Sequence, residues 1–342
     1  MNYKSRVITI IAGALCFGNI ASAQDVQSAA AAAAKELAAA PEAAKAVQKP
    51  SYWDQALVTK FGFTETSLTN WAAGGYNTIT LLASIDGSAN YKKDEMTWGN
   101  HLQMDYGFIY SDDKPFMQKN NDRFYFESKW NYTATKTLKY SANYDFRSQF
   151  TNSYTYKNPG VADPTKKDWM DHATLMSGFF SPAITQVGVG LDWVPNTWLT
   201  VNFSPLTGGF TIVRDEELRS KYSMPRLEDG AGYKPAKFEF GAKLKVDAKF
   251  NINDVFDYQT QIVLFSDYLD KPQNMRVNWD NTINWKIAKY FDIQFKTFLM
   301  YDEDIFIVNA KDVDMYPQGR QRVQFKEYLS FNFTYTFKPK KS

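Results

Sequence analysis

The residues with the most chemical potential in this chain are charged and recur at every second position. Glu239, Lys243, Lys245, Asp247 and Lys249 alternate with Phe240, Ala242, Leu244, Val246, Ala248 and Phe250. The same spacing carries Arg123, Glu127 and Lys129, then Asp145 and Arg147, then Asp280 and Lys286, then Asp292 and Lys296, while His101 shares its face with Gln103 and Asp105. Both signs are interspersed. Such a face can line a hydrated pore with weak ion preference, or its charges can pair and close a lumen of modest size. A strand in a soluble sheet is usually about 5–6 residues long, whereas about 10 tilted residues span an outer-membrane hydrocarbon band. The length of the alternation therefore points to a transmembrane β-barrel.

Other chemistries find little support. The chain has two histidines, His101 and His172. An outer-membrane hydrolase, the distant alternative, needs Ser and His within hydrogen-bond reach and a third group to orient the imidazole, and no such constellation is visible. His101 reads as an interior polar residue and no residue is assigned a catalytic role. Asp302, Glu303, Asp304, Asp312 and Asp314 offer oxygen ligands for calcium, but their spacing is not that of an EF-hand, and they read as a solvated acidic loop. No metal or cofactor is expected. The one cysteine, Cys16, falls in the leader described next, so the remaining chain has neither disulfides nor a Cys nucleophile. The chain holds 39 basic and 37 acidic residues. The leader takes Lys4 and Arg6 and no acid, which leaves a balanced chain unsuited to nucleic acid.

These charges have to be positioned by strands. Residues 1–23 read as a signal peptide, with Lys4 and Arg6 before the apolar stretch Val7 to Phe17 and a small-residue cleavage site ending at Ala23. Residues 24–52 read as an Ala-rich periplasmic linker and 53–342 as the barrel. No later segment has the roughly 18 consecutive apolar residues of a membrane helix. Candidate strands are 56–66, 78–92, 96–111, 121–133, 137–150, 184–194, 197–213, 237–250, 254–269, 275–288, 291–303 and 321–338. This gives an all-β antiparallel barrel of twelve strands, with fourteen as the alternative. In the seventh, Leu199, Val201 and Phe203 are apolar at odd positions and Phe210 and Ile212 at even ones, so a bulge or kink is expected near Pro205 and Gly208. Connections alternate between short (93–95, 134–136, 195–196, 251–253, 289–290) and longer (67–77, 112–120, 151–183, 214–236, 270–274, 304–320). Short turns belong on the periplasmic side and long loops outside. Tyr91, Tyr132, Tyr140, Trp193, Trp198, Phe250, Phe256, Phe291 and Tyr335 lie near the short turns or the C-terminal end, where aromatic rings would form an interfacial girdle.

Several motifs carry a resemblance: Ser67 to Gly75 (SLTNWAAGG), Ser204 to Val213 (SPLTGGFTIV), Pro272 to Asn274, Val277 to Trp279, Tyr301 to Asp304 and Val323 to Glu327. Together, over roughly Trp53 to Phe337, they resemble a Bacteroidota family of envelope proteins, domain-of-unknown-function family 3078. The resemblance implies an outer-membrane setting in a Gram-negative bacterium and brings no catalytic residue with it. The functional expectation is a passive pore for small polar solutes, lined by the charged face above. The alternative is an occluded barrel with a structural or surface-interaction role. Expected partners are outer-membrane lipid, lipopolysaccharide and, during insertion, the barrel-assembly machinery.

Overall fold

The structure, a computed structural model, describes residues 52–66, 78–307, 314–317 and 319–338. The expected signal peptide, nearly all of the Ala-rich linker, the Ser67 to Gly75 motif and Asp312 lie outside them. In chain order the strands are β1 (Trp53–Thr66), β2 (Thr78–Lys93), β3 (Met96–Ser111), β4 (Lys114–Thr133), β5 (Leu138–Ser148), β6 (Ser153–Tyr156), β7 (Ala173–Ser177), β8 (Ala183–Trp193), β9 (Leu199–Ile212), β10 (Ala236–Asn251), β11 (Phe256–Asp267), β12 (Arg276–Ala288), β13 (Phe291–Tyr301), β14 (Phe306–Ile307), β15 (Arg320–Gln321) and β16 (Gln324–Phe337).

Twelve of these close into one antiparallel barrel in the order β1-β16-β13-β12-β11-β10-β9-β8-β5-β4-β3-β2. The twelve-strand expectation holds and the fourteen-strand alternative does not. Each barrel strand pairs with its chain neighbours, and the ring is sealed where Leu57 to Phe63 meet Phe337 to Phe331. Closure pairs backbone groups that an open sheet edge would expose to lipid. No helix among the described residues is long and apolar enough to cross a membrane.

The bulge in β9 falls where the apolar parity changes. Its pairing with β10 slips between Gly241 and Lys243, and its pairing with β8 slips between Val189 and Leu191. Each slip leaves one extra β9 residue, in the Ser204 to Thr207 segment, which returns Thr207, Gly209 and Thr211 to the face of Asn202 and Ser204. A Cβ on Gly190 would lie 2.0 Å from the Phe203 carbonyl oxygen, so only glycine fits opposite this bulge.

One connection differs from expectation. Residues 112–120 are not a loop, because β4 begins at Lys114 and the β3–β4 ladder continues to Ser111 and Lys114. This hairpin is held by distant residues. Phe116 is buried against Tyr156 of β6 at 5.4 Å between ring centroids, and the Lys114 ammonium lies 5.3 Å from the buried Trp169 ring. Trp169 belongs to a short helix, Lys166–Asp171, started by a capping box between Thr165 and Asp168. The connection 214–236 is also folded. Val213, Leu218 and Met224 form a small core with Leu175, Tyr222 and Tyr233, and Arg219 donates to the carbonyls of Val213, Arg214 and Tyr233. Burial drives the Tyr222 hydroxyl up to about 12. The long-loop end thus carries a packed platform.

Large apolar side chains cover the outside of the barrel: Val187, Val189, Phe203, Leu206, Phe238 and Leu329 are all exposed. Near the short turns rings cluster, with Trp53 against Tyr91 and Trp98 at 5.2 and 5.7 Å, Trp198 against Phe250 at 5.0 Å, and Tyr290 against Tyr335 at 6.0 Å. Tyr132, Tyr140 and Trp193 are exposed at the same end. An apolar band bordered by aromatic rings is the outer surface of a barrel in lipid.

Candidate functional site: the charged lumen

Residues paired directly across adjacent antiparallel strands share a face of the sheet, so the register traces one face around the whole ring. Asp105 pairs with Arg123 and His101 with Glu127, Glu127 pairs with Asp145, and Asp145 with Gln186. Gln186 pairs with Gly209 and Gly209 with Glu239. Beyond β10, Asp247 pairs with Gln261, Gln261 with Asp280, Thr282 with Lys296 and Lys286 with Asp292. Asn332, Gly62, Leu82, Asp86 and Gln103 continue the same face through β16, β1 and β2 to β3. Lys129 and Arg147 share it through Asn143 and Tyr125, and Lys243, Lys245 and Lys249 lie on the Glu239 face of β10. Alternation places all sixteen expected lining residues on this inner face. Its side chains include some of the most hidden in the protein: Glu239 is 2% exposed, Lys243 3% and Asp145 6%.

The inner charges meet as ion pairs, several of them between strands that are not neighbours. Lys243 of β10 binds Asp145 of β5. Lys245 reaches Glu127 of β4 at 2.7 and 2.8 Å and approaches Asp247 at 3.7 Å, while Tyr125 donates to Glu127 at 3.1 Å. Lys129 of β4 pairs with Asp192 of β8 at 2.7 Å, and Asn202 donates to the same carboxylate at 2.5 Å. The longest reach joins Arg123 of β4 to Asp280 of β12 at 3.4 Å. These strands stand six places apart in a ring of twelve, so the bridge crosses the lumen. Arg147 of β5 donates to Asn278 of β12 at 3.5 Å, and the Arg123 guanidinium lies 5.8 Å from the Phe298 ring of β13.

The remaining expected residues sit around this cross-brace. His101 contacts Asp86 at 3.1 Å, with both side chains partly open to solvent. Lys296 lies 6.0 Å from the Tyr328 ring, Asp105 is buried, and Asp292 is held by Lys60 at 2.7 Å and by Thr334. Lys249 and Lys286 are exposed towards the short turns. Lys243, Lys245 and Lys249 are therefore not a run of three free positive charges, because two of them are neutralised across the lumen.

Lys60, Asp86, Asp192, Lys237 and Arg276 belong to the same network, and sequence reasoning passed over them. Arg276 forms a fork with Glu239 at 2.7 and 3.3 Å, and Lys237 reaches Asp304 at 2.8 Å. Parity was the available signal: Asp192, for example, lies two residues from Gly190 and faces the same way. Of the acidic loop, Asp302, Glu303, Asp304 and Asp314 are among the described residues and Asp312 is not. Among the described residues no three His, Cys, Asp or Glu side chains come together to hold a metal. Partial burial, which disfavours the charged form, holds the Asp302 carboxyl above the usual range.

Residues 63–154 match a family model described as "Protein of unknown function (DUF3078)". The match includes the Ser67 to Gly75 motif and ends before the later motifs. No curated protein sequence matches the chain. Among solved structures, the chain is similar to the translocator domain of the autotransporter NalP from Neisseria meningitidis (10% identity, 92% of this chain and 97% of that one, TM-score 0.34). It is also similar to an outer-membrane channel from Pseudomonas putida F1 (8% identity, 87% and 100% coverage, TM-score 0.36) and to the Pseudomonas putida toluene transporter TodX (9% identity, 85% and 90% coverage, TM-score 0.31). From the end of β1 to the start of β6, the chain is similar to a protein family described as one of unknown function, DUF3078.

Proposed function

We propose that this protein is an outer-membrane barrel whose lumen is latched shut to solutes and whose work is done by the loop platform it holds at the cell surface. The observation that carries this reading is the Arg123–Asp280 bridge between opposite walls. Lys243–Asp145 and Lys245–Glu127 span further parts of the same interior. The platform supports the second half of the reading, because β6, β7 and the short helices Lys166–Asp171 and Glu216–Arg219 bury apolar residues of their own, Trp169 and Leu218 among them. With short turns in the periplasm, both described ends of the chain lie there and the platform lies outside. Outer-membrane lipid and lipopolysaccharide contact the apolar belt, and the barrel-assembly machinery inserts it. No catalytic role is assigned to any residue.

The test has two parts. Vesicles containing the refolded protein should not swell faster than empty ones in isotonic small sugars or amino acids, and rapid swelling would overturn the latch. With no cysteine after Cys16, Val161→Cys should react with an impermeant thiol reagent on intact cells and Glu95→Cys should not. The reverse labelling would invert the orientation. A second reading, a passive pore narrowed to small ions, draws on the Asp86 and His101 side chains, which are 47% and 36% exposed beside the latch. Ion conductance without solute swelling would select it.

A further inference from the structure

Asp105 is a buried carboxylate that the latch leaves unused. It is 7% exposed, and among the described residues no group forms an ion pair or a hydrogen bond with its carboxylate. Its neighbours are nonetheless cations. Arg123 of β4 stands directly opposite it in the β3–β4 ladder, where paired side chains start about 5 Å apart. Lys326 of β16 is near enough to feel its charge, but donates instead to the Asn120 carbonyl at 3.3 Å and to Asn121 Oδ1 at 3.1 Å. A buried carboxylate without a donor costs free energy that a guanidinium would recover.

Arg123 holds its present partner loosely. It meets Asp280 at 3.4 Å with no hydrogen bond formed between them, and the two side chains are 30% and 29% exposed. Solvent weakens such a pair, whereas Lys243 and Asp145 are almost wholly hidden. The Arg123 guanidinium also hangs between two walls, 5.5 Å from the Tyr125 ring of β4 and 5.8 Å from the Phe298 ring of β13. Glu127, four residues along β4, offers it no seat, because Lys245 and Tyr125 already hold that carboxylate. Asp105 is open to it.

We propose that Asp105 is the second seat of the latch arginine: Arg123 swings from Asp280 on the far wall to Asp105 on the neighbouring strand, and the lumen passes small ions while it sits there. The exchange rests on the closed lumen proposed above. It needs only rotation about the arginine side-chain bonds, with the barrel unchanged. Single-channel recording of the refolded protein in a planar bilayer, in potassium chloride, tests it. Wild type should be closed with rare, brief openings. Asp280→Asn should raise the open fraction, and Asp105→Asn, alone or added to it, should lower the open fraction by about tenfold, because each change weakens one seat of the same arginine. Two carboxylates that acted only through the charge they bring to the lumen would change the current in the same direction. In Arg123→Ala, Asp105→Asn should have no effect on the open fraction. Unheated electrophoresis checks that each variant is folded, and Asp105→Ser takes the place of Asp105→Asn if that variant is not. A change at Asp105 that raises the open fraction, leaves it unaltered, or acts equally in Arg123→Ala overturns the exchange. Steady wild-type current at the level of Asp280→Asn overturns the closed lumen itself.

Discussion

Lys243 and Asp145 show what one residue pair does in this barrel. Both side chains are almost wholly hidden, and they come from strands 98 positions apart in the chain. Alternation along β10 and β5 reveals that both residues face inward. It does not reveal that they meet, because a period of two identifies the face and not the strand across the lumen. Hidden charges cost several kcal/mol each to desolvate, so the pair is a mutual requirement rather than a large net gain. Lys243→Met, which leaves Asp145 unpaired, should destabilise the folded barrel by about 3–5 kcal/mol, and adding Asp145→Leu should recover most of that loss. Urea unfolding of protein inserted in vesicles measures both. A double variant as unstable as the single one would contradict the pairing. The network also has loose ends: Asp145 Oδ2 and Arg147 Nε are buried without a protein partner. Polar groups left unpaired in a low-dielectric interior weaken a seal.

At the scale of elements, β9 and β4 contrast. The β9 bulge is legible because Phe203 and Phe210 are both apolar yet differ in parity, and a strand with one lipid face can satisfy both only by gaining a residue between them. The bulge in turn demands glycine opposite it. Gly190→Ala would drive a Cβ into the Phe203 carbonyl and should lower stability by about 1–3 kcal/mol or more. Gly208→Ala should be nearly neutral, since its nearest neighbour, a Phe240 ring carbon, is 3.5 Å away. The fraction that stays folded on unheated electrophoresis, compared across a urea series, checks the difference; equal behaviour would mean that the bulge is misplaced. The extension of β4 to Lys114 was not legible. Pro115 and the polar residues after Met117 argue locally for a loop. The contacts that hold them as a strand come from Tyr156 and Trp169, 40 and 55 positions beyond their partners Phe116 and Lys114.

For the whole molecule, strand number, closure and the sorting of charge inward and aromatics outward were readable because lipid imposes one rule on every strand. The platform was not, because loops outside the membrane escape that rule and fold by contacts that no period announces. Val246, on the outer face opposite Ile262 and Val201, tests the membrane assignment. Val246→Arg should cost about 2–4 kcal/mol of folding into vesicles if it lies near the midplane, while the inward Lys245→Arg should be nearly silent. Equal effects would contradict a lipid-facing Val246.

The central claim is that ion pairs between opposite walls hold the lumen closed, and single-channel recording of refolded protein in a planar bilayer tests it most directly. The wild-type barrel should show little steady current. Arg123→Ala combined with Asp280→Ala, which removes the cross-brace without leaving either charge unpaired, should open a persistent step several times larger. A wild-type protein that already conducts at the level of the double variant would contradict the latch.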